Sequence, residues 1–139
     1  MKILYFHQHF TTPDGAGGIR SYEMAQNLIQ KGHEVLMVCG SSQGAESGLE
    51  VSFNRGFRRG MVNGIDVLEF ELPYKNSDSF LRRVGLFISF AMKSVKVAFN
   101  EKYDLLFATT TPLTVGIPGV FARWLRRKPF VFEVRDLWP

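Results

Sequence analysis

The stretch TTPDGAGGIRS at residues 11–21 places Gly15, Gly17 and Gly18 just ahead of Arg20. It joins a strand-like run at 2–9 to a helix-like run at 20–31. Glycines let a ligand approach the backbone, and the free N–H groups at a helix start attract anions. Arg20 adds a formal charge. This chemistry suits a phosphate, and the bland alternative is a tight turn without a ligand. Two common nucleotide fingerprints do not fit. The third glycine of G-x-G-x-x-G would fall on Arg20, and the Gly-Lys pair of a P-loop would fall on Arg20 and Ser21. His7 and His9 lie two apart, so one strand face could offer both to a metal. No Asp, Glu or Cys completes a ligand set by spacing, and polar lining of a cleft suits the pair better. Asp136 ends an apolar run beside Arg135. A carboxylate there is either paired with the arginine or open to a cleft.

These residues need a scaffold, and the hydrophobic pattern supplies one. KILYFHQH reads as a buried strand with polar residues at its end. IRSYEMAQNLIQKGHEV puts Ile19, Tyr22, Ala25, Leu28 and Ile29 on one helical stripe, and Gly32 stops the helix. EVLMVCG is a nearly unbroken apolar run, as expected of a parallel strand covered on both faces. Together they form a βαβ unit. Residues 41–60 hold four glycines and little periodicity, and read as a long mobile loop. Asn63-Gly64 marks a hairpin-type turn. IDVLEFEL alternates like an edge or near-edge strand. DLLFATT and PFVFEVRD read as two more strands. Between them a helix is expected from the Thr111-Pro112 cap to about residue 127, with Gly116, Pro118 and Gly119 breaking its first turns. The expected class is α/β, a Rossmann-like doubly wound sheet of about five mostly parallel strands with helices on both faces. Ligands of such sheets bind outside the carboxyl ends of the strands. Those ends carry His7, His9, the glycine turn, Cys39-Gly40, Thr109, Thr110, Thr111, Arg135 and Asp136.

The chain has 139 residues and a net charge of +4, but the charge is regional. Residues 79–128 hold nine Lys/Arg and two acids, giving +7; the remainder sums to −3. An anionic partner is expected on one side. The helix expected over 79–100 carries Arg82, Arg83, Lys93 and Lys96 and no acid. Its core stripe reads as Phe80/Leu81, Val84, Phe87/Ile88, Ala91, Val95 and Phe99. Leu86, Phe90 and Val97 fall outside it. Apolar groups beside cations suit an anionic membrane surface, so Phe90 and the four cations are expected to face the membrane; the alternative is an ordinary solvated basic face whose extra apolar residues pack under the 41–60 loop. Basic and aromatic residues do not interleave as a nucleic-acid site requires. The single Cys39 excludes an internal disulfide and fits a reducing compartment. The uncharged apolar-rich run at 84–92 is far shorter than the roughly 20 residues of a spanning helix.

Taken together, HQHFTTPDGAGGIRSYEMAQNLIQKGHEVLMV resembles the opening of family-4 glycosyltransferases of the two-domain GT-B fold. TTTPLTVGIPGVFARWLRRKPFVFEVRDLWP resembles the later part of the same N-terminal domain, closest to bacterial members that build capsule, O-antigen or exopolysaccharide units. The resemblance implies that Gly17 and Gly18 approach the diphosphate of a nucleotide-sugar, UDP-linked in the expected case, with Arg20, His7, His9, Thr110 and Thr111 around the substrates. Many members carry His where Arg135 stands, followed by Asp. Arg135 and Asp136 therefore take cleft positions as the expected catalytic pair, with no proton transfer assigned to either. The resemblance also implies retention of anomeric configuration, no metal and no cofactor. The family's C-terminal, donor-binding domain has no counterpart in these residues. The chain is thus expected to be one N-terminal, acceptor-side domain over 1–139, inactive alone. It would be cytoplasmic or peripheral on the inner face of the membrane, with a lipid-linked or saccharide acceptor. The alternative is a non-catalytic subunit of a split enzyme, for acceptor binding and membrane docking.

Overall fold

The computed structural model describes residues 1–135. The first unit is β1 (Lys2–Phe6), α1 (Arg20–Gln30) and β2 (Glu34–Ser42). A hairpin of β3 (Phe57–Val62) and β4 (Ile65–Tyr74) follows, then α2 (Phe80–Asn100) and β5 (Leu105–Thr109). A 3-10 turn (Leu113–Val115) leads into α3 (Gly116–Leu125), and β6 (Phe130–Glu133) completes the sheet. The sheet has six strands in the order β3-β4-β2-β1-β5-β6. All neighbours are parallel except β3 and β4. The class is therefore α/β, Rossmann-like and mostly parallel.

Strand alternation splits the core in two. Leu4, Phe6, Leu36, Val38 and Leu106 face α2 and α3. Tyr5, Val35, Met37, Cys39 and Val67 face α1. Parallel strands buried on both faces account for the unbroken apolar runs of β1 and β2.

Three expectations need correction. The segment 41–60 is no free loop. β2 runs on to Ser42, and the segment beyond it is bonded to the glycine turn. β3 then pairs antiparallel with β4 across Asn63-Gly64, whose φ values of 47° and 83° are those of a hairpin turn. Buried Ser47 and the Arg58 guanidinium (Nε to Oε2, 2.7 Å) both bond Glu69, which anchors the segment to the sheet. The sheet accordingly has six strands rather than five.

In α2 the expected core stripe holds only in part: Ala91 is buried and Val84, Phe87 and Val95 are half-buried, while its other members and the residues set outside it change places. Phe90 is fully buried with Ala91, Ser94 and Ala98, while Leu86 and Val97 pack on the same core. Phe80 and Leu81 are 76% and 81% exposed, and Ile88 and Met92 also face outward. Phe90 thus faces the sheet, not a membrane. Small residues at 91, 94 and 98 let the helix approach closely, and the Phe90 ring meets Phe70 edge-on at 6.0 Å. The cations differ as well. Arg82 pairs with Asp78 at 3.3 Å, and Arg83 lies over the Tyr74 ring with its Nε buried. Lys93 lies over the Phe70 ring, and among the described residues only Lys96 of the four shows neither an ion pair nor a ring contact.

In α3, the glycines expected to break the helix are packing positions instead. A Cβ on Gly119 would stand 2.1 Å from the Phe130 ring, so only glycine lets α3 lie on β6. Among the described residues, no helix is long and apolar enough to cross a membrane.

Candidate functional site

Residues after β1 carry polar groups over the carboxyl edge of the sheet. His7 N–H still bonds Val38 O at 3.1 Å, and Phe10 N–H turns back to His7 O at 3.2 Å. The glycine turn is then held from the side. Thr12 N–H donates to Glu46 O and Ala16 N–H to Gly44 O, each at 2.8 Å. Thr11 Oγ1 accepts from Glu46 N–H at 3.0 Å. Gly17 has φ 146°, a conformation closed to side-chain-bearing residues. Ile19 provides no side-chain cap, so α1 begins with N–H groups free for an anion.

A cleft of about 560 Å³ opens above this turn. His7, His9, Gly17 and Gly18 line one part of it, and Thr110, Thr111 and Arg135 another. Thr110 Oγ1 accepts from Arg135 N–H at 2.9 Å, which fixes the arginine at the end of β6. A Cβ on Gly18 would stand 4.0 Å from Arg135 Nη2, so the guanidinium lies against the glycine turn. No Asp or Glu lines the cleft among the described residues. Asp136 lies outside the described residues.

Arg20 behaves differently from the expectation. Its guanidinium pairs with Glu133 rather than lining the cleft. The other Glu133 oxygen accepts from Thr109 Oγ1 at 2.9 Å, and that hydroxyl meets Tyr5 OH at 3.2 Å. This chain ties the start of α1 to the ends of β1, β5 and β6.

The sequence reading missed the cleft's other wall. Thr11, Ser42, Gln43, Tyr74 and Asn76 also line it. Ser42 Oγ lies 2.7 Å from His9 Nδ1, and the His9 ring packs 4.9 Å from Tyr74. Tyr74 stacks on Phe87 at 5.4 Å. The signal for Tyr74 was its place at the end of the alternating β4 pattern.

His7 and His9 are built as neutral groups. His7 is 4% exposed, with Nδ1 2.7 Å from Ser21 Oγ. Burial, aided by repulsion from His9 when that ring is protonated and from Arg135, holds its pKa down to about 3; burial also lowers His9. Among the described residues no group of three His, Cys, Asp or Glu is placed to hold a metal. Cys39 is buried, and burial pushes its thiol well up, so it packs rather than reacts.

The His7 shift has a consequence for folding. The unfolded chain takes up a proton near pH 6.5 that the native imidazole accepts only near 3. Stability therefore falls as pH drops through that window, at up to about 1.4 kcal/mol per pH unit. His7→Asn keeps a polar atom toward Ser21 and removes this titration. Urea denaturation between about pH 7 and pH 5 is expected to show a shallower loss in the variant, with His9 supplying the remaining slope. Equal slopes would show that His7 is not the group.

Comparison with known proteins agrees with this architecture. A family model described as glycosyl transferase 4-like domain matches residues 15–139. No curated protein matches the chain. Among solved structures, the C-terminal domain of a hydrogenase from Pyrococcus furiosus superposes with a TM-score of 0.65 at 14% identity, covering 95% of this chain and 90% of that one. An E. coli trehalose-6-phosphate protein bound with UDP-2-fluoro glucose superposes at 0.58 and 15% identity. It covers the whole of this chain, which spans 34% of that longer protein. At these identities the likeness is one of fold. With the family match running from the glycine turn to Pro139, the chain belongs to the glycosyl transferase 4-like domain family.

Proposed function

We propose that this domain is the N-terminal, acceptor-side half of a retaining glycosyltransferase. It moves a sugar from a UDP-linked donor to a lipid-linked or saccharide acceptor in cell-surface polysaccharide synthesis, without a metal or cofactor. The observation that carries the reading is the cleft itself. The glycine turn that leads into the uncapped start of α1 and Arg135 line a cavity that no described carboxylate lines. That environment suits a diphosphate. Positive groups placed where charge develops lower the barrier to its departure. Thr110, Thr111, Ser42 and Asn76 offer hydroxyl and amide groups to a sugar or an acceptor. The Tyr74 ring beside them gives an apolar face for a sugar ring. Arg135 and Asp136 are the proposed catalytic pair.

A second, donor-binding domain completes the site in this reading. Attachment to the inner membrane face uses the outer sides of α2 and α3, where Leu81, Ile88, Met92, Val120 and Trp124 are exposed. This supply of apolar surface supports a lipid-linked acceptor.

The test has two arms. Full-length protein incubated with a nucleotide-sugar panel, starting with UDP-sugars, is expected to transfer sugar to a lipid-linked acceptor. No transfer with any donor would overturn the reading. The 139-residue chain alone is expected to bind UDP-sugars weakly. Calorimetric titration giving micromolar affinity, about −8 kcal/mol, would show that no second domain is needed.

A further inference from the structure

Between the β3–β4 hairpin and the last turns of α2 lies a second groove, of about 410 Å³. Its floor is apolar, built by Leu68 and Phe70 of β4 and Val97 of α2. Phe57 of β3 extends the floor to the rim, where it stays 45% exposed. The rim is cationic. Lys93 and Lys96 stand on one flank of α2, and Lys93 Nζ lies 5.6 Å from the centre of the Phe70 ring. Arg55 faces them from the other side, on a two-residue turn. Asn54 and Phe57 exchange both backbone hydrogen bonds across that turn, at 2.9 and 3.3 Å, and Arg55 takes φ 54° there.

The groove's acid is already committed. Glu101 accepts from Arg59 at 2.6 Å, and Arg59 also pairs with Asp66 at 2.7 Å. Among the described residues, no carboxylate forms an ion pair with Arg55, Lys93 or Lys96. Three cations with no carboxylate partner of their own thus surround an apolar floor, while Glu101 at its edge is held by Arg59. On its outward side the flank of α2 passes directly into the exposed residues Ile88, Met92 and Phe99. A ligand seated here meets positive charge and hydrocarbon together, and sits beside a helix face that itself exposes hydrocarbon.

We propose that this groove binds an anionic phospholipid, its phosphate among Arg55, Lys93 and Lys96 and the start of its acyl chain over Phe57 and Phe70. The occupant is a membrane lipid because the cations border an apolar face rather than a polar one. A free phosphate would leave the floor uncovered, and a nucleic acid would leave the apolar flank in water. The inference rests on the membrane-attached reading above and adds selectivity to it. Apolar residues of α2 and α3 give attachment to any bilayer, whereas the groove chooses the headgroup.

The experiment is co-sedimentation of the intact chain with vesicles of phosphatidylcholine alone or mixed with phosphatidylglycerol. Binding to the mixed vesicles is expected to be tighter by about ten-fold or more at low salt, and to weaken with added salt. The triple variant R55Q/K93Q/K96Q is expected to bring binding on mixed vesicles within about three-fold of that on phosphatidylcholine. Its binding to phosphatidylcholine should stay unchanged. These are surface positions, and an unaltered melting temperature confirms the fold. Phe57→Ser should weaken binding to mixed vesicles without changing the salt dependence. The proposal is overturned if the triple variant keeps the preference. It is also overturned if inorganic phosphate or poly-glutamate at matched charge displaces the vesicles as well as short-chain phosphatidylglycerol does. The first of those results would mark a phosphate site, the second an acidic-peptide site. Loss of binding to neutral vesicles alone would count against the attachment surface and leave the groove's selectivity to be read from the mixed ones. Sugar transfer in solution is a separate measurement and tests only the catalytic reading.

Discussion

Replacing Gly17 by valine is expected to lower turnover of the proposed two-domain transferase by about a hundred-fold or more, with the proposed donor and acceptor saturating. Gly17 stands at φ 146°, where a β-branched residue cannot remain without strain. The chain must then twist away, which moves the N–H groups at the start of α1 and the backbone facing Arg135. Displacements of about an ångström in such a site are enough for that loss. Space is not the problem, since a Cβ at Gly17 would touch only Thr11 Cγ2 at 3.5 Å. The fold should therefore survive, losing about 1–3 kcal/mol. Gly15 provides the contrast. A Cβ there would stand 2.1 Å from Thr11 Oγ1 and 2.7 Å from Glu46 N, so Gly15→Ala damages packing before chemistry. Turnover at near wild-type rate in the Gly17 variant would reduce the turn to a connection between β1 and α1.

The glycine turn was legible in the sequence because its chemistry is local. Three glycines before an uncapped helix state their backbone needs directly, and strand ends at His7, Thr110 and Arg135 follow from apolar runs that stop. The partners of charged residues were not legible. Arg20 could be placed at the mouth of the site, but its pairing with Glu133 depends on β6 lying two strands from β1, which only the sheet order decides. β3 was hidden for a related reason. FRRGMV alternates poorly, and its order comes from pairing with β4 and from the Arg58–Glu69 contact. Tyr74 and Asn76 joined the cleft because β4 neighbours β2, again a fact of topology.

Helix α2 posed a harder problem, because it has apolar residues on two sides. Periodicity finds both stripes and gives no means of choosing between them. Packing chooses through size. Ala91, Ser94 and Ala98 let the backbone come near the sheet, and Phe90 fills the space that remains against Phe70. The larger residues Leu81, Ile88 and Met92 are left outside, where they supply the surface that the membrane reading uses. The groove's cations then fall between the two stripes, on the flank toward β3.

This choice can be measured at single positions. Phe90→Ala is expected to destabilise the domain by about 3–5 kcal/mol, the cost of truncating a fully buried aromatic ring and leaving a cavity. The ring is 0% exposed, meets Phe70 of β4 edge-on and belongs to the core cluster that holds Leu4, Leu36 and Leu106, so its loss opens a cavity inside that cluster. Met92→Ala, two residues along at 59% exposure, should change stability by less than about 1 kcal/mol. Urea denaturation of both variants, with unchanged m-values, decides the matter. The melting temperature should fall by about 10 °C or more for Phe90→Ala and barely move for Met92→Ala. The reverse ranking would put Phe90 on the surface and turn the helix back to the stripe its periodicity first suggested. Vesicle binding supplies an independent readout on the same pair. Met92→Ala should weaken attachment to neutral bilayers, whereas folded Phe90→Ala should bind as the parent does, because a side chain facing the sheet has no route to lipid.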